Sequence, residues 1–267
     1  MPTFAAPTAR IYYEQGGTGL PLLNIGGTGG DLRRPPSPLE WPGARRFEQA
    51  AYDHRGLGRS RAADPQAQPT MADFADDALA LADHLGWQRF SVIGISFGGM
   101  VAQEVAIRAR DRVRRLVLAC TSSGGAGGAS APLHEVLALA LTPAQREERL
   151  IELLDTRTRD DAALRAELSA VFAPLIAAPF DARLELAMAR QLEARRRHDT
   201  WARLGTIRAP TLVAAGRYDR LAPLENSRAL AGAISDARLE IFEGGHTFLL
   251  QDPAAWRVVG DFLLAED

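Results

Sequence analysis

One short stretch of the chain has the residue types and spacing of a covalent catalyst. Gly94, Ser96 and Gly98 form a G-x-S-x-G pattern. It lies between an apolar run at residues 90–93, typical of a strand, and a helix-like run at residues 100–106. A serine on such a tight turn takes a strained backbone that small neighbours permit, and the helix after it directs free N–H groups toward an anion. The pattern therefore indicates acyl transfer on Ser96, with a plain helix N-cap as the structural alternative.

Two further groups follow in the order that a catalytic serine requires. Apolar runs at residues 210–216 and 237–242 predict buried parallel strands, and Asp219 and His246 lie just beyond them. Because open α/β sheets build their sites at the carboxyl ends of strands, we expect both side chains near Ser96. His246 would accept the serine proton, and Asp219 would orient the imidazole. A turn aspartate and a solvated loop histidine are the alternatives.

The periodicity of apolar residues predicts the elements that position these side chains. Residues 10–14 and 21–25 flank a Gly-Gly pair and predict an opening hairpin. The next predicted elements are a strand, an amphipathic helix, a strand, a helix and a strand, at residues 46–53, 71–82, 88–95, 97–108 and 113–120. This alternation predicts the α/β fold class with a mostly parallel sheet.

The pattern changes in the second half of the chain. Between about residues 131 and 203 only helical periodicity is found, and strand-like runs resume at residue 210. We therefore expect a helical insertion at residues 122–208 that divides a single core into residues 1–121 and 209–267.

A fourth motif gives the chain a family resemblance. Residues 52–60 read Y-D-H-R-G-L-G-R-S, which is similar to the D-x-R-G-x-G-x-S loop of the α/β-hydrolase superfamily. Together with the motif around Ser96, the turn from Gly216 to Asp219, and His246 after its glycines, it makes the chain resemble that superfamily over nearly its whole length. Within it, the chain resembles the capped serine esterases and lactonases close to 3-oxoadipate enol-lactonases and cofactor-free perhydrolases. The resemblance implies helices on both faces of the sheet, a helical cap over the active site, and no cofactor.

The resemblance also implies an oxyanion hole. One donor is expected from the backbone N–H of Phe97, the residue after the nucleophile. The second is expected from the glycine-rich loop at residues 26–33, where Thr28 is the main candidate and the neighbouring Gly27 the alternative. Gly26 stands where many relatives have a histidine.

The predicted cap supplies candidate substrate contacts. Its helical patterns contain Leu137, Phe172, Ile176 and Met188, whose apolar side chains favour a neutral acyl or lactone substrate with a hydrophobic portion. Packing in the core of the cap is the structural alternative for these residues. Residues 195–198 read R-R-R-H and either bind a substrate carboxylate or form a solvated helix end, where positive charge is favourable.

These features predict a hydrolase of carboxylic esters or lactones that acts through an acyl-enzyme on Ser96. Thioester hydrolysis, C–C bond hydrolysis and acyl transfer use the same triad and stay open. A hydrolase-fold receptor with little turnover is an alternative of another class. Relatives with an aspartate or a cysteine in place of Ser96 catalyse other reactions and are disfavoured by that serine.

Composition sets the remaining expectations. The 267 residues carry a net charge of −2 and are 46% hydrophobic, which suits one enzyme-sized domain and gives no sign of a nucleic-acid or membrane partner. The single cysteine, Cys120, excludes an internal disulfide and fits a reducing compartment. No metal-ligand spacing and no transmembrane-length run are found, so we expect a cytoplasmic monomer or homodimer with a small-molecule substrate and no metal.

Overall fold

A mostly parallel sheet runs through the protein in this computed structural model, which describes residues 2–139, 141–176 and 182–266. The strands of the described residues, numbered along the chain, are β1 (Thr3–Ala6), β2 (Ala9–Gly16), β3 (Leu20–Ile25), β4 (Phe47–Tyr52), β5 (Arg61–Ala62), β6 (Phe90–Ile95), β7 (Val113–Ala119), β8 (Thr211–Gly216) and β9 (Ala237–Phe242). Their order is β1-β2-β4-β3-β6-β7-β8-β9, and β5 pairs with β2. All pairs from β4 to β9 are parallel, so the predicted α/β class is confirmed.

The predicted opening hairpin is wrong. β2 pairs antiparallel with β4, with Tyr13 opposite Tyr52, and β3 lies on the other side of β4. β3 pairs in parallel with both β4 and β6, and its residues Leu22 and Leu23 are fully buried. A strand buried on both faces belongs in the middle of a parallel sheet, whereas a hairpin partner of β2 would stand nearer its edge.

Helices cover both faces of the sheet. The helices of the described residues are α1 (Met71–His84), α2 (Phe97–Arg108), α3 (Leu133–Ala138), α4 (Pro143–Leu154), α5 (Ala162–Ile176), α6 (Ala182–Arg196), α7 (Leu224–Ala233), α8 (Phe248–Gln251) and α9 (Ala255–Leu264). Helices α1, α2 and α7 belong to one apolar cluster, and α8 and α9 to another. Neighbouring strand residues alternate between the clusters, as Val92 and Ile93 do, because successive side chains of a strand point to opposite faces. None of the helices in the described ranges is long and apolar enough to cross a membrane.

Helices α3 to α6 lie in the chain between β7 and β8, within the segment predicted as an insertion. They contribute to a third apolar cluster, in which Ile151, Leu168 and Leu192 are buried together with Leu221 from the loop after β8. We refer to α3–α6 as the cap helices. The limits at residues 122 and 208 stay a prediction.

Candidate active site

Ser96 lies on the sharp turn between β6 and α2, which we refer to as the elbow. Its backbone has φ 56° and ψ −116°, in the left-handed region that residues with a side chain rarely adopt. The surrounding glycines make this turn possible: a Cβ on Gly94 would lie 2.6 Å from the Cβ of Ala102, and one on Gly98 would lie 2.6 Å from the carbonyl oxygen of Gly26. The sequence therefore holds the Ser96 side chain at the carboxyl edge of the sheet.

Asp219 and His246 meet at the same edge. Asp219 follows β8, His246 follows β9, and Nδ1 of the histidine is 2.7 Å from Oδ2 of the aspartate. The other carboxylate oxygen, Oδ1, accepts the N–H of Ala222 at 2.8 Å, and Asp219 is only 5% exposed. A carboxylate accepts hydrogen bonds, so Nδ1 of His246 is the donor. In this tautomer Nε2 carries the lone pair and is available to accept a proton.

A cavity of about 830 Å³ joins these groups to the cap helices. Ser96 and His246 both line it, together with Thr28 from the loop after β3. The structure thus brings Ser96 and His246 to one cavity, with Asp219 behind the imidazole. The volume of the cavity is within the range of small-molecule sites.

The expected oxyanion donors lie beside Ser96. Phe97 is the first residue of α2, where a backbone N–H has no intrahelical partner. Across from it, a Cβ on Gly27 would lie 3.6 Å from the Cβ of Ser96. The N–H groups of Gly29 and Gly30 are occupied, by Oε1 of Gln191 at 2.8 Å and by the Gly27 carbonyl at 3.2 Å. Gly27 and Thr28 therefore stay the candidates for the second donor.

The sequence did not identify His54 as part of this site. Its Nε2 is 3.0 Å from the carbonyl oxygen of Gly26, and its ring packs edge-on against Phe97 at 5.3 Å. Burial lowers the pKa of His54 to about 4, so the ring is neutral at pH 7 and Nε2–H donates to Gly26. His54 supports the glycine-rich loop at residues 26–33, which we call the oxyanion loop after its predicted role, at Gly26, the position at which the loop has no histidine of its own. The sequence shows that His54 lies within the D-x-R-G motif, but it does not show the direction in which the ring points.

Asp53 fixes the same loop from the other end. Oδ1 accepts the N–H of Leu32 at 2.7 Å, and Oδ2 accepts the N–H of Arg59, also at 2.7 Å. The motif at residues 52–60 thus connects the oxyanion loop to the core of the sheet.

One end of the cap touches the loops of both Asp219 and His246. The carbonyl of Leu154, the last residue of α4, accepts the N–H of His246 at 2.6 Å, and Leu153 accepts that of Arg220 at 3.1 Å. Oδ2 of the fully buried Asp155 accepts from Nε2 of Gln251 at 3.0 Å. Oε1 of Gln251 in turn accepts the N–H of Gly245, the neighbour of His246, at 2.8 Å.

An ion pair completes this contact. The guanidinium of Arg157 is bonded to both oxygens of Asp155 and lies over the ring of Tyr218 at 4.4 Å. We refer to Asp155, Arg157 and Gln251 as the Asp155 network. No motif in the sequence indicates it, because Asp155 and Arg157 are close in the chain but Gln251 reaches them only through the fold, across 96 residues.

The structure describes the side chains of two of the four predicted substrate contacts. Phe172 and Met188 line the cavity, and the methyl carbon of Met188 lies 3.7 Å from where a Cβ on Gly29 would be. The side chains of Leu137 and Ile176 lie outside the described residues. Most of the other cap side chains in the cavity wall are apolar, among them Leu133, Leu150, Leu153, Leu154, Leu184, Ala189 and Leu192.

The arginine run at residues 195–198 lies away from the cavity wall. Arg196 and Arg197 are paired with Glu193 on the surface of α6. Arg195 is buried and donates to the carbonyl of Ala131 at 2.8 Å, and His198 is also buried. Arg196 and Arg197 thus form the solvated helix end that was one alternative, whereas Arg195 and His198 are buried beside it, and none of the four lines the cavity.

Comparison with known proteins places this geometry among hydrolases. The model of the family described as serine aminopeptidase, S33, matches residues 43–253. A 2-hydroxymuconate semialdehyde hydrolase from Pseudomonas sp. strain CF600 is 30% identical over 274 residues, which cover 97% of this chain and 92% of the relative. A provisionally named carbamate hydrolase from Caulobacter sp. strain K31 is 32% identical over 83% of this chain and 82% of its own length. The crystal structure of the enol-lactonase from Burkholderia xenovorans LB400 has the same fold, with a TM-score of 0.80 at 23% identity, covering 99% of this chain and 100% of that one.

Proposed function

We propose that this hydrolase, which belongs to the α/β-hydrolase superfamily, cleaves carboxylic esters or lactones through an acyl-enzyme on Ser96. One observation carries the proposal: a serine at φ 56° shares a cavity with a histidine whose Nδ1 is 2.7 Å from a buried carboxylate. A neutral imidazole held in this tautomer presents Nε2 as a base.

In the proposed reaction, Nε2 of His246 takes the proton of the Ser96 hydroxyl as Oγ attacks the substrate carbonyl. Asp219 stabilises the imidazolium that forms. The N–H of Phe97 and one N–H from Gly27 or Thr28 bind the oxyanion. His246 then returns the proton to the leaving group, and water that His246 activates releases the acid from Ser96.

The mostly apolar cavity supports the choice of an ester or lactone with a hydrophobic portion. Hydrolysis of a C–C bond is a second candidate, because a relative that aligns with 97% of the chain is named 2-hydroxymuconate semialdehyde hydrolase. The two reactions share the nucleophile and differ in the bond that is broken.

A fluorophosphonate probe tests the nucleophile. It should label the wild type on Ser96, and the label should be lost in Ser96→Ala but kept in Ser37→Ala, which removes another serine hydroxyl of the cavity wall. A panel of p-nitrophenyl esters, lactones and vinylogous 1,5-diketones then identifies the scissile bond. Labelling without multiple turnover on any of them would count against an enzyme and favour a receptor.

The acid is tested separately. Asp219→Asn should lower kcat by a factor on the order of 10³ or more, because an asparagine amide cannot hold the reactive tautomer. The unfolding transition should stay within about 1 kcal/mol of the wild type. Near-normal turnover would show that another carboxylate orients His246.

A further inference from the structure

Arg146 is a cation in the wall of the cavity, and it forms no ion pair with any residue that the structure describes. It lies in the second turn of α4, and its Nε is buried without a hydrogen-bond partner among the described residues. The neighbouring Arg149 is different: it is exposed and is paired with Glu152 at 3.7 Å. Arg146 is half-buried, and an acceptor that enters the cavity would give its buried Nε the partner that the described residues do not supply.

The carboxylates of the cavity wall do not neutralise Arg146. Asp31 is bonded to Arg33, and Glu193 to Arg196 and Arg197. In the described parts of the chain, the other two acidic residues of the wall, Glu40 and Glu185, form no ion pair with Arg146. The positive charge of Arg146 therefore has no ion-pair partner among the described residues of the cavity wall.

The position of Arg146 on α4 sets its distance from the catalytic groups. Arg146, Leu150 and Leu154 are spaced four residues apart, which places them along one face of the helix, and all three line the cavity. Leu154 is bonded to the backbone of His246. With a rise of 1.5 Å per residue, Arg146 begins about 12 Å from that end of the helix. Its side chain leans toward the helix N-terminus, away from His246.

We propose that Arg146 binds a carboxylate at the far end of the acyl chain, so that the preferred substrates are ω-carboxyacyl esters, the half-esters of medium-chain dicarboxylic acids. This inference rests on the proposed function of Ser96. Leu150 and Phe172 then contact the methylene chain between the scissile carbonyl and the carboxylate. The planar guanidinium matches a carboxylate through two parallel hydrogen bonds.

A matched pair of substrates tests the proposal. p-Nitrophenyl hydrogen sebacate and p-nitrophenyl decanoate have acyl chains of equal length and differ in the terminal carboxylate; the adipate and suberate half-esters vary the reach. The wild type should favour the sebacate over the adipate half-ester.

Arg146→Met should lower kcat/KM for the sebacate half-ester by about 10- to 100-fold, as the loss of a charged hydrogen bond predicts. It should change kcat/KM for the decanoate by less than about twofold. Arg146→Lys should restore part of the loss, and it provides a second variant if the methionine variant does not fold.

Two control variants remove a similar charge elsewhere. Arg149→Met removes a cation from the exposed face of the same helix, and Arg34→Met removes one from the part of the cavity wall that follows β3. Both should leave the sebacate-to-decanoate ratio within about twofold of the wild type. The proposal is overturned if Arg146→Met leaves that ratio unchanged, or if Arg34→Met abolishes the preference. If decanoate is still hydrolysed in either case, the proposed function stands. If the wild type cleaves none of the esters, the proposed function itself is wrong.

Discussion

The loops at the strand ends and the cap helices hold their cavity-lining groups in different ways. At the strand ends, polar atoms are fixed by backbone contacts: Ser96 by its turn, Asp219 by the N–H of Ala222, and Gly26 by His54. The cap helices mostly present leucine side chains that pack against one another. The first arrangement suits atoms that must be placed to a fraction of an ångström, and the second suits selection among substrates by size and polarity.

The two regions are joined by a few polar contacts. Gln191 of α6 accepts the N–H of Gly29 in the oxyanion loop, and the end of α4 contacts His246 through Leu154 and the Asp155 network. The cap is therefore attached to both sides of the nucleophile. Changes at these contacts should alter catalysis, whereas changes on the outer cap surface should not.

The largest effect should come from a methyl group placed in the strand-end region. Gly98→Ala puts a Cβ 2.6 Å from the carbonyl oxygen of Gly26, against backbone that cannot move without opening the elbow. We expect a loss of about 3 kcal/mol or more in the free energy of unfolding, measured in urea.

The matched change is Gly232→Ala in α7, where nothing lies within 4 Å of the new atom. It should stabilise the protein by about 0.5–1 kcal/mol, because alanine restricts the unfolded chain. Equal effects of the two substitutions would mean that the elbow is looser than its contacts indicate.

A smaller effect is expected where the cap meets the histidine loop. Asp155→Asn replaces one carboxylate oxygen with a donor that cannot accept from Arg157 and Gln251 together. Stability should fall by about 1–3 kcal/mol, the cost of a broken buried hydrogen bond. Because Gln251 holds the residue before His246, kcat should fall on the order of tenfold with little change in KM.

The control for this substitution lies on α4, three residues before Asp155. Glu152→Gln removes a surface ion pair with Arg159 and should change stability by less than about 1 kcal/mol, with kcat unchanged. If Asp155→Asn lowers stability but leaves kcat and fluorophosphonate labelling at wild-type values, the network supports the fold and does not position His246.

The same division explains what the sequence could predict. The elbow, the strands before Asp219 and His246, and the α/β class follow from local patterns, and strand ends meet at one edge whatever the other contacts are. The capping boxes of α1 and α4 are equally local. The opening hairpin was wrong because β4 enters between β2 and β3 from a distant part of the chain.

The support of the site was beyond reach of the sequence for the same reason. His54 contacts Gly26 across 28 residues, and Gln191 contacts Gly29 across 162. Arg146 reads as an ordinary surface arginine until α4 is placed with one face toward the cavity. Side-chain roles of this kind depend on how whole elements pack, which residue spacing does not encode.

Lowering the pH should reduce the free energy of unfolding through buried histidines, among them His54 in the strand-end region. Burial lowers the pKa of His54 to about 4 in the folded protein, against about 6.5 when unfolded. Between these values the unfolded chain binds a proton that the folded chain does not, so stability falls as pH falls, by about 1.4 kcal/mol per pH unit for one group. At pH 5 the loss is about 2 kcal/mol. His198 has the same shift, also through burial, and adds to it.

Urea unfolding from pH 7 to pH 4.5 measures this slope. His54→Gln should reduce it by about one proton, whereas His134→Gln, a change at a partly exposed position on α3, should leave it unaltered. A slope that is the same in wild type and His54→Gln would show that the ring of His54 takes up a proton in the folded state. The support of Gly26 would then need a donor other than neutral imidazole.

The smallest effect compares two helix caps of the same kind, one in each region. Thr70 begins α1 and Thr142 begins α4, and each forms a capping box with the residue three positions later. Either threonine changed to alanine removes about 1 kcal/mol from its helix. Helix α1 packs against α2 and the sheet, so Thr70→Ala should lower the global free energy of unfolding by that amount. Helix α4 belongs to the smaller cap cluster, so Thr142→Ala should act mainly on local opening. Amide hydrogen exchange in α4 should become about fivefold faster, with a smaller shift of the urea midpoint. If both substitutions shift the midpoint equally and exchange in α4 follows that of α1, the cap and the sheet unfold as one cooperative unit. The cap would then select substrates as a rigid wall of the cavity, without local opening.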